Sequence, residues 1–123
     1  MRLVLLAHGS RDARWRRPFE QLRERLVQSG GAGRDAELAY LQFCEPTLDQ
    51  VLAGLAAAGL EEALVIPLFM SGGGHLLRDV PDAVERAGRR AGIRVRTAGA
   101  LAEEPEVVEA MVEAIARLAG ESP

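Results

Sequence analysis

No lysine occurs anywhere in the 123 residues, and all fifteen basic side chains are arginine. That absence excludes a Walker-type phosphate loop, whose lysine reaches the β and γ phosphates, and Schiff-base or pyridoxal chemistry, which needs a lysine amine. Aromatic residues make up only 4% of the chain and the net charge is −3, so stacking platforms are few and no global field attracts nucleic acid. A nucleic-acid partner is not expected. No apolar run approaches the roughly 20 residues that span a bilayer, and no membrane association is expected. The opening run "LVLLA" is followed directly by "HGSRD", which reads as a first strand rather than a signal peptide. A single cysteine, Cys44, permits no intrachain disulfide and agrees with a reducing, cytoplasmic compartment. Its thiol is read as a small buried residue.

What is present is ordinary for one globular domain covering residues 1–123: 48% apolar and 27% charged side chains, enough to close a core. Residues 2–7 and 63–69 are short apolar runs of the kind that form buried parallel strands, 36–43 a second strand, and 93–98 a weaker fourth. Between them, residues 13–29 place Trp15, Phe19, Leu22 and Leu26 at three-to-four spacing, an amphipathic helix that "GGAG" at 30–33 ends. A second helix is expected with Pro46 in its first turn, running to about 58 and closed by Gly59. A third is expected from Pro81 to 91 and a fourth over 104–119. Strands alternating with helices imply a three-layer α/β/α sandwich on a four-stranded parallel sheet. With right-handed crossovers and strand order 2-1-3-4, the first helix covers one face and the next two the other. Ligands of such sheets bind beyond the carboxyl ends of the strands where the order reverses.

The chain has two histidines, and both fall at that edge: His8 after the first strand and His75 after the third. Glu45 follows the second strand, so all three open onto one side. Imidazoles suit divalent cobalt, nickel, iron or zinc. A structural zinc site would show four closely spaced ligands, which the sequence lacks. Two histidines with open positions fit a metal that is picked up and released. Glu45 has a second reading as a carboxylate favoured by a helix start, and Asp79, four residues after His75, reaches its ring only if that segment is helical. The glycines of "SGGGH" (Gly72, Gly73, Gly74) allow a flat or anionic ligand close to the backbone. Phe43, Phe69, Met70, Leu76 and Leu77 are candidates for an apolar lining. Arg11, Arg14 and Arg78 lie near enough to fork onto carboxylates, whereas Arg86, Arg89 and Arg90 read as a solvated helix face. The "WRR" of residues 15–17 receives no role.

In this order and spacing, "LLAHGSRD", "YLQFCEPTLDQVL" and "VIPLFMSGGGHLLRDVP" resemble the short type II chelatases of the CbiX/SirB kind, over essentially the whole chain. The resemblance implies a homodimer of parallel α/β subunits without a nucleotide requirement. The implied reaction is insertion of a divalent metal, cobalt first and nickel or iron as alternatives, into sirohydrochlorin. It also implies that His8 and His75 hold the metal, and that Ser10, Arg11, Gln42, Ser71, Gly72, Gly73, Gly74 and Arg78 meet the tetrapyrrole. Many relatives carry an acidic residue where this sequence has Gln42, which cannot accept a proton as a carboxylate does. Glu45 is therefore the expected acceptor of the pyrrole protons, with one of the histidines as the alternative. Two other readings stay open. One is phosphoryl transfer through His8, as in histidine phosphatases, although the arginine that usually precedes such a histidine is Ala7 here. The other is a non-catalytic carrier of metal or tetrapyrrole.

Overall fold

The apolar run at the start of the chain becomes β1 (Arg2–Ala7), which lies at the centre of a parallel sheet with β2 (Glu37–Tyr40), β3 (Glu62–Pro67) and β4 (Arg94–Thr97) in the order β2-β1-β3-β4. The structure is a computed structural model that describes residues 2–68, 74–99 and 101–120, and of residues 74–78 the backbone alone. The fold class and strand order are those expected from the sequence. Leu5 pairs with Leu38 on one side and with Ile66 on the other, so β1 is flanked by neighbours along its length.

The helices are α1 (Ala13–Ser29), α2 (Leu48–Ala57), α3 (Gly74–Ala91) and α4 (Pro105–Leu118). Alternation along the strands sorts their side chains between two faces. Val4, Leu6, Ala39, Ala63 and Val65 point to one face, where they meet Leu48, Leu52 and Leu55 of α2 and Val80, Val84 and Ala87 of α3. This is the core. The opposite face carries Leu38 and Tyr40 of β2 beneath α1, which contributes no buried residue.

Three boundaries differ from expectation. The second strand ends at Tyr40 rather than 43, because the chain turns there: the Tyr40 amide donates to the Pro46 carbonyl at 2.9 Å and Phe43 takes a left-handed backbone with φ 72°. Pro46 lies outside α2. The helix instead starts on a capping box, in which the Thr47 hydroxyl accepts from the Gln50 amide and the Gln50 side chain accepts from the Thr47 amide. Third, α3 begins at Gly74, seven residues before the expected Pro81, so Gly74 belongs to a helix and not to a glycine loop. Proline has no amide for the carbonyl four residues earlier and lowers helix stability. Here the apolar spacing of Val80, Val84 and Ala87, buried against α2 and the sheet, outweighs that loss.

Candidate functional site at the carboxyl edge of the sheet

Parallel strands bring all their carboxyl ends to one edge, and this edge collects most of the chemistry-bearing residues. His8 leaves β1 there, exposed. The pairing of β1 with the β2 segment continues one step past the strands, the Leu41 amide donating to the Ala7 carbonyl at 3.0 Å and the Gln42 amide to the His8 carbonyl at 3.2 Å. Gly9 makes the approach possible. It has φ 105°, and a Cβ added there would stand 1.8 Å from the Gln42 carbonyl oxygen. The segments that carry His8 and Gln42 are thereby locked together.

Phe43 was a candidate lining residue, and the structure presents its ring at the edge, 54% exposed. Its ring stacks loosely on the His8 imidazole, with centroids 6.4 Å apart and planes at 27°. The Arg11 guanidinium lies over the same ring, its carbon 5.5 Å from the Phe43 centroid. A left-handed phenylalanine costs on the order of 1–3 kcal/mol, a conformation that persists at functional edges. Cys44 beside it is half-buried, not fully buried as expected.

Other candidates serve the local architecture. The Ser10 hydroxyl accepts from the Asp12 amide at 3.0 Å, and Asp12 caps α1 by accepting from the Arg14 amide at 2.9 Å. Arg14, also considered for substrate, is paired with Asp12 at 2.8 Å, and that guanidinium holds the Asp12 carboxyl below its ordinary value. Glu45 is exposed and accepts from the Gln50 side chain at 3.3 Å, which ties it to the start of α2. Arg89 and Arg90 form the expected solvated face, paired with Glu85 and Asp49.

His75 lies in the first turn of α3, which follows β3, the neighbour of β1, and the Leu68 amide beyond β3 donates to the Leu6 carbonyl at 2.8 Å. The backbone thus brings both histidines to the same edge. Their mutual geometry is outside the described residues, as are the side chains of Leu76, Leu77 and Arg78 and the whole of Phe69, Met70, Ser71, Gly72 and Gly73. The helix is continuous from Gly74, so Asp79 occupies the position one turn beyond His75. Among the described residues, no group of three or more histidine, cysteine or acidic side chains surrounds a metal position.

Between the end of β1 and the first two turns of α1 lies a cavity of about 350 Å³, walled by Trp15, Arg16 and Phe19 and by Tyr40, with residues 8–10 at its mouth. Arg16 donates to the Ser10 carbonyl at 2.8 Å. Tyr40 is 2% exposed and its hydroxyl has no hydrogen-bond partner among the described residues. A buried unpaired polar group costs roughly 1–3 kcal/mol. Burial first, and then the charge of Glu20, raise the phenol's pKa and keep it protonated. Sequence reasoning assigned none of these four residues a role; the clue was that α1 starts five residues after His8, which keeps its first turns beside this edge.

The model of the family described as CbiX matches residues 2–118. This chain belongs to the CbiX family. A crystallised putative cobalamin biosynthesis CbiX protein from Marinobacter aquaeolei is 36% identical with a TM-score of 0.86, the match covering 98% of each chain. The sirohydrochlorin chelatase SirB of Bacillus subtilis, solved with cobalt, shares the fold at a TM-score of 0.77 and 23% identity, over 94% of this chain and 50% of that one. Among curated relatives, the sirohydrochlorin cobaltochelatases of Methanopyrus kandleri and Saccharolobus solfataricus are 33% and 32% identical over 79 residues, 64% of this chain and 54% and 59% of theirs. The CbiX chain thus matches little more than half the length of these relatives. Its His8 stands on the first, and its Gln42 and Glu45 on the second, of the three segments whose motifs first suggested the family.

Proposed function

We propose that this CbiX-family chain inserts a divalent metal ion into sirohydrochlorin without a nucleotide. The observation that carries the reading is the convergence of His8 and the His75-bearing first turn of α3 on one sheet edge, within a chain that the family model matches almost throughout. Cobalt is the metal favoured by the names of the curated relatives, with nickel and iron as competitors that imidazole also accepts.

The metal is substrate here. In the proposed step neutral His8 and His75 hold it, two pyrrole N–H bonds break, and two of the new metal–nitrogen bonds replace them while the protons leave. Glu45 is the proposed acceptor for one proton and water for the other, since Gln42 has no basic oxygen to offer. An imidazole is a ligand only through the lone pair of an unprotonated ring nitrogen, so the step uses both histidines in their neutral form. Holding ring and metal together replaces diffusional encounter by a positioned reaction. Arg11, beside Phe43, is one described cation placed to meet a carboxylate of the macrocycle.

The reading includes a cytoplasmic homodimer. Val108, Val112, Ile115 and Leu118 recur at helical spacing along α4 and are 40–76% exposed, an apolar stripe suited to a second copy. Almost the whole of this chain matches only half of the SirB chain, which is consistent with two copies standing in for a longer chain.

The test is the absorbance change of sirohydrochlorin with cobalt, nickel or iron, followed over many equivalents. His8→Ala and His75→Ala are each expected to lower turnover at least 100-fold with circular dichroism unchanged. Near-normal insertion by either variant, or a wild-type reaction that stops at one equivalent per chain, overturns the reading.

A further inference from the structure

The cavity beside His8 is too small for a macrocycle. At about 350 Å³ it lies near the lower end of the roughly 300–1,000 Å³ of small-molecule pockets, enough for one corner of a tetrapyrrole and its side arm. Its chemistry is also that of a corner. Trp15 is 70% exposed at the rim, so its indole does little for the core and offers a flat apolar wall, with Phe19 deeper on the same helix. Arg16 is half-buried and, unlike Arg14 beside it, has no carboxylate within ion-pair distance among the described residues. One of its N–H groups goes to the Ser10 carbonyl, and a guanidinium has five. Tyr40 lines the same cavity, and its hydroxyl is shut off from solvent, protonated and without a hydrogen-bond partner among the described residues. An arginine with spare donors, a phenol without an acceptor and two aromatic walls call for an anionic oxygen on a flat apolar frame.

We propose that this cavity is a side pocket that seats one carboxylate-bearing corner of the tetrapyrrole, with Arg16 holding the carboxylate and Trp15 covering the adjacent pyrrole edge. The inference rests on the proposed function and adds a positioning and specificity element to it. A ring anchored at Arg16 has its neighbouring edge directed toward His8, which lines the same cavity. Arg11, on the Phe43 side of His8, is then left for a second carboxylate.

Trp15 is the only tryptophan in the chain, so its emission reports on the pocket without a label. Metal-free sirohydrochlorin and its fully esterified form are titrated into wild type, R16M and R16K, with unfolding curves recorded for each. Wild type is expected to bind the free acid about tenfold or more tightly than R16M does, as befits a lost charge-assisted hydrogen bond. R16K should recover part of the difference, and the ester should bind wild type and R16M alike. Turnover should show the loss mainly in KM. Equal Kd values for the free acid in wild type and R16M overturn the pocket, and so does equal affinity of wild type for acid and ester, a comparison that needs no variant to fold. If wild type binds the free acid and inserts metal while Arg16 proves irrelevant, only this inference falls. If wild type neither binds the macrocycle nor metallates it, the proposed function falls with it.

Discussion

The inner and outer helices of this CbiX chain differ sharply. On the side of α2 and α3, Leu52 and Val84 are fully buried and Leu48, Leu55, Val80 and Ala87 nearly so. On α1 and α4 no residue is buried, and Trp15, Leu22, Ile115 and Leu118 stand in solvent. Strand β3 records the same contrast within one element: Ala63, Val65 and Pro67 are buried, while Leu64 and Ile66, on the opposite face, stay half-covered. The lesson is that the stability of the single chain is concentrated on one side of the sheet, and that apolar area is left on the outer helices, where the proposed ligand pocket (α1) and the proposed dimer contact (α4) lie.

The sharpest way to break this contrast is in the core. Leu52→Ala deletes a fully buried side chain and should destabilise the chain by about 2–5 kcal/mol in denaturant unfolding. A loss under about 1 kcal/mol would show that the two sides are equally loose. Gly9→Ala comes next, with about 1–3 kcal/mol from the left-handed backbone alone. The Cβ must also push the Gln42 carbonyl away, so metallation should fall further than stability does. Unchanged activity would mean that the lock between the two segments is dispensable. The smallest effect belongs to the outer side. Ile115→Ser should alter the unfolding free energy of the dissociated chain by no more than about 0.5 kcal/mol, yet move the sedimenting species toward half its mass. A sedimentation profile identical to wild type would remove α4 from the proposed dimer.

The edge and its histidines were legible because strand–helix alternation fixes the parallel sheet, and a parallel sheet fixes which loops share an end. What escaped was set by packing. Pro81 reads as a helix start in isolation, but the burial of Val80 and Val84 extends α3 back to Gly74. Trp15 and Arg16 receive no role from the sequence, yet α1 begins at Ala13 and its first turns remain beside β1 and Tyr40. The left-handed Phe43 follows from the return of the chain from Tyr40 to Pro46, a tertiary constraint with no local signature. The Glu45 carboxylate was correctly placed after β2, and its hydrogen bond to Gln50 supports the helix-start reading considered for it.

The phenyl ring of Phe43 lies roughly flat along the His8 imidazole. An imidazole binds a cation through a nitrogen lone pair in its own plane, never through its π face. The aromatic neighbour therefore occupies a direction that coordination does not use. Any ion that engages His8 must arrive along the rim of the imidazole, which makes Phe43 a guide rail for the direction of approach.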